Sequence, residues 1–298
     1  MSSDGATGQP VCWFVGLTTL DVIHRVAAAP RPNEKVTALR QDVAAGGPSA
    51  NAAVVAAALG ARSVLVTALG ESPVAVAARA DLEAHGVTVI DSAGIGSARG
   101  DFLLPVSSVA VDEVTGERSV VSADGALSVA PAIDPGVLYD LPTPDVIQFD
   151  GHHPELALSV LGWQVGCEPR PFVVLDAGRW REVFRSLIPE ADVVAASADF
   201  ALPDDLEGLE DFEAGERSWL TTDGSAPVTW RGSSGRIAVF EVPPVGAVDT
   251  LGAGDAFHGA LCKALAGGAE MPDAISEAIR VAGVRVASVG PRAWLRDL

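Results

Sequence analysis

Short apolar runs alternate with longer helical patterns along most of the chain. The runs with the length and apolar character of buried strands are residues 11–16, 63–69, 145–149, 172–175 and 192–196. The segments with helical spacing of apolar or alanine residues are 52–59, 74–85, 256–265 and 274–288. This alternation predicts an α/β fold with a mostly parallel central sheet flanked by helices.

Two regions interrupt this alternation. Residues 33–45 alternate only loosely, and residues 101–123 hold two strand-like runs joined by a short loop that contains Gly116. A glycine in such a loop favours a hairpin. We expect both regions to form a small β-sheet lid within a single domain of residues 11–298, after a flexible N-terminus of residues 1–10.

The net charge, the cysteines and the apolar runs of the chain each exclude some classes of binding partner or location. The 298 residues include 39 acidic and 20 basic side chains, a net charge of −19, which argues against nucleic acid and anionic membranes as partners. The three cysteines are widely spaced, as expected for reduced thiols in a cytoplasmic protein. The alanine- and valine-rich run at 52–61 is well short of the roughly 20 apolar residues that span a bilayer.

A glycine-rich stretch near residue 250 carries the strongest chemical pattern. Gly252, Ala253 and Gly254 stand between Asp249 and Asp255, and an apolar helical pattern follows. The first N–H groups of a helix have no intrahelical partner, so they can bind an anion. An aspartate beside such an anion suits a general base that activates a hydroxyl for attack on a phosphoryl group. The stretch alone equally allows a second interpretation, in which Asp255 only caps a buried helix.

This stretch resembles the C-terminal signature of the ribokinase-like (PfkB) carbohydrate kinases, Asp-Thr-x-Gly-Ala-Gly-Asp. The matching residues are Asp249, Thr250, Gly252, Ala253, Gly254 and Asp255. The resemblance implies ATP-dependent phosphorylation of a hydroxyl. It makes Asp255 the base and the N–H groups of residues 252–255 an anion hole, with Asp249 and Thr250 on the cofactor side.

Three further positions resemble the sugar-binding signature of that family. Gly46 and Gly47 match a diglycine hinge, and Asn51 matches an asparagine that contacts sugar hydroxyls. Pro48 stands where many relatives carry a small polar residue, and proline cannot donate a hydrogen bond to a sugar. That departure leaves the identity of the sugar open.

Two charged residues have both a functional and an ordinary interpretation. The spacing from Gly16 to Asp21 resembles the N-terminal pattern of the family, in which the aspartate binds the sugar. In the ordinary interpretation, Asp21 is a solvent-facing charge on an edge strand. Arg118 stands after the predicted hairpin, where relatives often carry an arginine that reaches the active site, but it equally fits a solvated lid position.

The resemblance also implies a nucleotide site. Thr222 and Gly224 match a Thr-x-Gly loop, and Ala282 and Gly283 are small residues of the helix that would adjoin the adenine. Small helical residues are more often simple packing positions.

The expected cofactors are ATP and Mg²⁺, with a monovalent cation such as K⁺ as a further expectation. The Asn-x-x-Glu motif that organises Mg²⁺ in relatives is replaced by Ser197 to Phe200. His152 and His153 are adjacent and lack a third ligand at helical spacing, so we expect surface or capping roles and no protein metal site.

Within the family, the motifs resemble those of ketohexokinase and sulfofructose kinase, so a ketose or ketose derivative is the first expectation for the acceptor. An adenosine-type nucleoside is the alternative. A non-catalytic sugar-binding regulator on the same fold is a third possibility, which the altered Mg²⁺ motif favours and the intact Gly-Ala-Gly-Asp loop opposes. The lid of such proteins often pairs with a second subunit, which predicts a homodimer.

Overall fold

A nine-stranded sheet lies at the centre of the protein, whose computed structural model describes residues 8–94, 102–206 and 217–298. Numbered in chain order, its strands are β1 (Val11–Val15), β4 (Arg62–Thr67), β5 (Val87–Asp91), β8 (Val146–Phe149), β9 (Phe172–Ala177), β10 (Val193–Ser197), β11 (Ser218–Thr222), β12 (Val228–Arg231) and β13 (Ile237–Phe240). They are ordered β13-β12-β11-β10-β9-β8-β1-β4-β5. The strands from β11 to β5 are parallel, and β12 and β13 are antiparallel at one edge.

Helices cover both faces of this sheet. They are α1 (Pro48–Ala58), α2 (Pro73–Ala84), α3 (Pro135–Tyr139), α4 (Pro154–Gln164), α5 (Phe184–Leu187), α6 (Ala253–Ala266) and α7 (Met271–Val286). Along β1, Cys12 and Phe14 lie in the core shared with α1, α6 and α7, whereas Trp13 and Val15 lie in the core shared with α4 and α5. A parallel strand covered on both faces is apolar throughout, which explains its continuous apolar run. The predicted fold class is confirmed.

The small lid is also present, but its strands differ from the prediction. A four-stranded sheet contains β2 (Thr19–Val26), β3 (Arg40–Gly46), β6 (Val106–Asp112) and β7 (Arg118–Val121), in the order β3-β2-β6-β7. Strand β2 was not assigned to the lid from the sequence, yet it pairs with both β3 and β6.

Two predicted lid boundaries are wrong. Residues 33–39 lie outside the strands, because pairing with β2 begins only at Arg40. The strand predicted from residue 102 begins instead at Val106. Residues 102–105, which include Pro105, belong to no strand. Asp101 and residues 1–7 of the predicted N-terminal segment lie outside the described residues.

The lid packs against the segment that precedes α6. Ile23, Val109 and Val111 form a small apolar cluster on its inner face, and Leu251 packs against them. The hairpin between β6 and β7 turns at Gly116, where a Cβ atom would lie 2.8 Å from the Val248 carbonyl carbon. The lid is therefore in direct contact with the glycine-rich stretch.

Two global properties follow from the described parts of the chain. Within these ranges, no helix combines the length and apolar character needed to cross a membrane. Cys12, Cys167 and Cys262 are all free thiols, and Cys12 and Cys262 are buried in the core. Burial raises the pKa of the Cys12 thiol to about 12, so this side chain acts as a small core residue rather than as a nucleophile.

Helices α1 and α6 approach each other closely at Gly259. A Cβ atom at this position would overlap the Ala52 carbonyl oxygen and lie 2.8 Å from Val55 Cβ. We predict that Gly259→Ala lowers the free energy of unfolding by about 1–3 kcal/mol, because overpacking forces the two helices apart. Urea denaturation measures the change.

Gly162 of α4 provides the matched control, because a Cβ atom there meets nothing within 4 Å. Gly162→Ala should raise stability by about 0.5–1 kcal/mol, since alanine restricts the unfolded chain and favours a helix. Equal effects of the two substitutions would contradict the close helix contact.

Candidate active site

The predicted base and one predicted sugar ligand meet at the starts of two neighbouring helices. Helix α6 begins after Gly252, which adopts a left-handed φ of 73°, and Asp255 is its third residue. Asn51 lies in the first turn of α1, and its Nδ2 donates to Asp255 Oδ2 over 2.8 Å. These two side chains are 204 positions apart in the sequence. The capping interpretation fails because Gly252, not Asp255, occupies the N-cap position.

The surroundings of Asp255 raise its pKa to a value near neutral pH. Burial and then the negative charge of Asp176 raise its pKa from 3.8 to about 7, against the opposing effects of Asn51, His258 and Arg118. A general base is most effective when its pKa lies near the working pH.

The orientation of Asn51 is fixed by Arg292. The Arg292 Nη1 group donates to Asn51 Oδ1 over 3.1 Å, while its Nη2 group donates to Ala45 O at 2.6 Å and Asp81 Oδ2 at 3.0 Å. Arginine has only donors, so the amide oxygen of Asn51 must face it, and the NH₂ group must face Asp255. Arg292 was not predicted as a site residue, because it lies 241 residues from Asn51 and matches no local motif.

Asp21 and Asn51 line one cleft. Asp21 lies on the inner face of β2 with only 8% of its surface exposed, so the edge-charge interpretation is wrong. It accepts a hydrogen bond from Thr19 Oγ1 at 2.6 Å, and burial raises its pKa against the effects of Thr19, Ser107 and Arg292. The cleft is lined by Asp21, Asn51, Gly252, Arg285, Arg292 and Trp294.

The diglycine is required for close approach of the backbone. A Cβ atom on Gly46 would overlap the Asp21 carboxylate. Gly47 has a φ of 97°, and a Cβ atom there would overlap the Leu17 carbonyl oxygen. The two glycines therefore let the end of β3 and the start of α1 pass directly beside Asp21 and Leu17.

Asp249 serves a structural role within the loop. Its carboxylate accepts hydrogen bonds from Leu251 N at 3.0 Å and Gly290 N at 3.1 Å, and it lies 3.1 Å from Arg285 Nη2. Because these groups occupy both oxygens, Asp249 acts on this site by holding the loop in place.

Thr250 and Arg118 connect the loop to the lid. Arg118 Nη1 donates to both Thr250 O and Thr250 Oγ1 over 3.2 Å, and Thr250 Oγ1 donates to Gly116 O over 3.0 Å. Arg118 is exposed on β7, as the solvated lid position of the alternative interpretation requires, but it also contacts the loop. The structure places it against the glycine-rich stretch.

A second polar group lies at the carboxyl ends of β8 and β9. His258 Nε2 is 3.6 Å from Asp176 Oδ1, and burial lowers the pKa of His258 to about 4. The pKa of Asp176 is raised to about 7 by burial and by Asp150. Asp150 in turn accepts hydrogen bonds from Leu17 N at 2.9 Å and Ser49 Oγ at 2.8 Å, so it joins β1 to α1.

The two adjacent histidines have the roles expected from the sequence only in part. His152 Nδ1 lies 3.2 Å from Asp150 Oδ1, and its Nε2 contacts Arg181. His153 occupies the N-cap position of α4, as one of the two expectations had it, but it is buried and its side chain makes no capping hydrogen bond. Among the described residues, no group of three or more side chains is arranged to hold a metal ion.

The predicted nucleotide residues lie on β11 and α7. Thr222 ends β11, and Gly224 follows in a turn with a φ of 51° and open space around it. Ala282 and Gly283 lie on α7, where a Cβ atom on Gly283 would come no closer than 3.8 Å to Val245.

The altered Mg²⁺ motif has a structural explanation. Phe200, at the position of the family glutamate, packs its ring against Trp180, Phe184 and Trp219 at centroid distances of 6.0, 5.7 and 6.1 Å. Ser197 Oγ donates to Gly178 O over 2.9 Å. Neither position offers a carboxylate to a metal ion.

Comparison with known proteins assigns the chain to a family. The family model described as pfkB family carbohydrate kinase matches residues 11–297. The chain belongs to the pfkB family of carbohydrate kinases. The kinase is 26% identical to a ribokinase of Bacillus subtilis over 285 residues, which cover 93% of this chain and 92% of that protein. It is 27% identical to a ketohexokinase of Mus musculus over 283 residues, or 90% and 93% of the two chains.

Solved structures agree with this assignment. A candidate ribokinase from Agrobacterium tumefaciens is 26% identical to the kinase, with a TM-score of 0.81 and coverage of 97% of this chain and 94% of that one. An adenosine kinase from Schistosoma mansoni, 16% identical with a TM-score of 0.72 over 95% and 97% of the chains, shares the fold.

The hydrogen bond from Asn51 can be tested directly. Asn51→Leu removes the donor that favours ionised Asp255, and such a bond to a charged group is worth about 1.5–3 kcal/mol. We therefore predict that the pKa of Asp255 rises by about one pH unit or more. Titration of the ¹³C carboxyl resonances measures it, with the remote carboxyl of Asp205 as internal reference. An unchanged Asp255 titration would contradict the assigned contact.

Proposed function

We propose that this kinase transfers the γ-phosphate of ATP to a hydroxyl of a ketose or ketose derivative. The observation that carries the proposal is the Asp255 carboxylate, held in the first turn of α6 with a pKa of about 7 and bonded to Asn51, which lines a cleft. The free thiols of the chain suit a reducing cytoplasm, and we propose that location.

In this mechanism Asp255 accepts the proton of the attacking hydroxyl. The N–H groups of residues 252–255 face the phosphoryl group because they lie at a helix start, and they stabilise its developing negative charge. Asp21 and Asn51 hold further hydroxyls of the sugar, and the backbone at Gly46 and Gly47 leaves room for it. Desolvation of the cleft strengthens each of these interactions.

The nucleotide is proposed to lie between the end of β11 and helix α7. Thr222 and Gly224 would bind it on one side, and Ala282 and Gly283 would allow its base to approach closely. Asp249 and Thr250 contribute by positioning the loop, because their polar atoms are already bonded within the protein.

Mg²⁺ would offset the negative charge of the phosphates when bound. The described residues offer it no cluster of three ligand side chains, so we propose that phosphate oxygens and water supply most of its ligands. Asp176 is the side chain suited to contact it or its water shell, since nearby positive charge would stabilise a carboxylate whose pKa is raised to about 7.

A ketose is favoured over other acceptors by the 27% identity to mouse ketohexokinase together with the motifs that resemble it. The 26% identity to Bacillus subtilis ribokinase keeps aldopentoses among the compounds to be tested. A non-catalytic regulator is disfavoured, because a pure sugar-binding protein has no need for a half-buried carboxylate poised to ionise near pH 7.

ADP release from Mg-ATP should be measured against ketoses, aldoses, their phosphates and sulfonates, and nucleosides. We predict turnover with a ketose-type acceptor that rises with pH through about 7, because Asp255 must be ionised. Asp255→Asn should lower kcat by about 100- to 10,000-fold while ATP still binds. Asp273→Asn, an exposed acidic residue in the first turn of α7, is the control and should leave kcat unchanged.

The same variant has a predicted effect on stability. Between pH 3.8 and about 7 the folded state holds a proton on Asp255 that the unfolded state loses, so wild-type stability falls as the pH rises through this range. Asp255→Asn removes this loss and should melt at a higher temperature than wild type above pH 7. Full turnover in Asp255→Asn would disprove the assignment of the base.

We further propose that two lids pair to form a homodimer. On the outer face of the lid sheet, Val43, Val106 and Val121 are 52%, 42% and 75% exposed. Val22 lies opposite Val43, and Ser108 lies opposite Val121, so the exposed valines form one continuous face. A second copy of this face would bury it from water.

Val121→Glu would place a buried charge in such an interface. We predict a dimer for wild type and a monomer for Val121→Glu in sedimentation equilibrium. Val114→Glu is the control, because Val114 is 80% exposed at the hairpin tip, beyond the paired strands. A monomeric wild type, or a dimer that survives Val121→Glu, would rule out this interface.

A further inference from the structure

Arg285 is a buried cation beside the anion hole. It lies near the end of α7 with 3% of its side chain exposed. Its Nη2 is 3.1 Å from Asp249 Oδ2, and its Nη1 donates to Ser288 O over 3.0 Å and to Asp249 O over 3.4 Å. Three oxygen atoms, one of them anionic, therefore surround a single guanidinium group.

This set of oxygens is what a small hard cation would use. A carboxylate and backbone carbonyls are typical ligands of ions that prefer oxygen. Family resemblance makes K⁺ an expected cofactor, and a monovalent ion that supports the loop would need such a cluster next to it. Here the guanidinium already fills the cluster, so K⁺ does not fit.

We propose that Arg285 is a built-in cation that positions the anion-hole loop, and that this kinase consequently needs no monovalent metal ion. Arg285 is a positioning residue, since it acts through Asp249. The part of this inference that concerns catalysis rests on the proposed kinase function.

The contacts of Asp249 explain how the positive charge of Arg285 affects the position of the loop. The Asp249 carboxylate also binds the N–H of Leu251, the residue that directly precedes Gly252. The N–H groups of Val248 and Asp249 bond to Val286 O over 2.8 and 3.2 Å. Arg285 thus completes a set of bonds that ties the start of the loop to the end of α7.

Removing the guanidinium would leave Asp249 buried with an uncompensated charge. Such a group is strongly unfavourable unless it gains a proton or another cation. The loop would then shift, and a displacement of about 1 Å in a catalytic arrangement can lower the rate on the order of 100-fold. A small cation that entered the vacated space would reverse part of this loss.

The neighbouring Arg280 shows the contrast. It lies on the same helix and pairs with Glu277 at 2.8 Å, but about half of its side chain is exposed, at 46%. Water screens a surface pair of this kind, so its contribution is small. Arg280→Ala is therefore a matched control that removes a paired arginine from α7 without touching the loop.

The experiment replaces K⁺ with tetramethylammonium at constant ionic strength and follows both turnover and melting temperature. Wild type and Arg280→Ala should be indifferent to the exchange in both measurements. Arg285→Ala should lose on the order of 100-fold in kcat. Added K⁺ or millimolar guanidinium should raise both its kcat and its melting temperature. Arg285→Lys keeps the charge and should fold even if Arg285→Ala does not, with no response to K⁺.

Several results would overturn the proposal. They are loss of wild-type turnover or stability without K⁺, full activity of Arg285→Ala in tetramethylammonium, or a folded Arg285→Ala that neither cation improves. The melting curves decide the question even if no acceptor supports turnover. In that case the proposed kinase function fails, but the effect of K⁺ and guanidinium on the melting temperature of Arg285→Ala still tests whether Arg285 positions the loop as a cation.

Discussion

The close packing of α1 against α6 is the constraint on which the site depends. Gly259 allows the two helices to touch backbone to backbone at Ala52, where any larger residue would separate them. The two helices begin after Gly47 and Gly252, and the contact between Asn51 and Asp255 shows that their first turns lie side by side. That arrangement brings Asn51 within 2.8 Å of Asp255 and forms a single cleft from two distant segments.

Within the glycine-rich loop, two aspartates have opposite environments. Asp249 is paired with the Arg285 guanidinium and accepts hydrogen bonds from two backbone N–H groups, which hold its carboxylate in place. Asp255 has an amide donor as its hydrogen-bonding partner, and burial together with Asp176 raises its pKa to about 7. The same residue type therefore fixes the loop at one position and can exchange a proton at the other, because only the partners differ.

The features that were predictable from sequence are those that depend on local pattern. Parallel strands buried on both faces are apolar runs, and glycines mark the helix starts, so the fold class and the positions of Asn51 and Asp255 followed from them. Strand β2 was missed because residues 19–26 mix apolar and charged positions, whose placement depends on pairing with β3 and β6. Arg285 and Arg292 were missed because their partners lie 36 and 241 positions away.

The loop before α6 is bonded on two sides by elements with different tasks. Helix α7 holds it through Val286 and Arg285, and the lid holds it through Gly116 and Arg118. The lid also carries Asp21, so a carboxylate that lines the cleft and the hairpin that contacts this loop belong to one sheet. In the proposed mechanism, a sugar bound at Asp21 would therefore be linked through one set of contacts to the loop that carries the proposed anion hole.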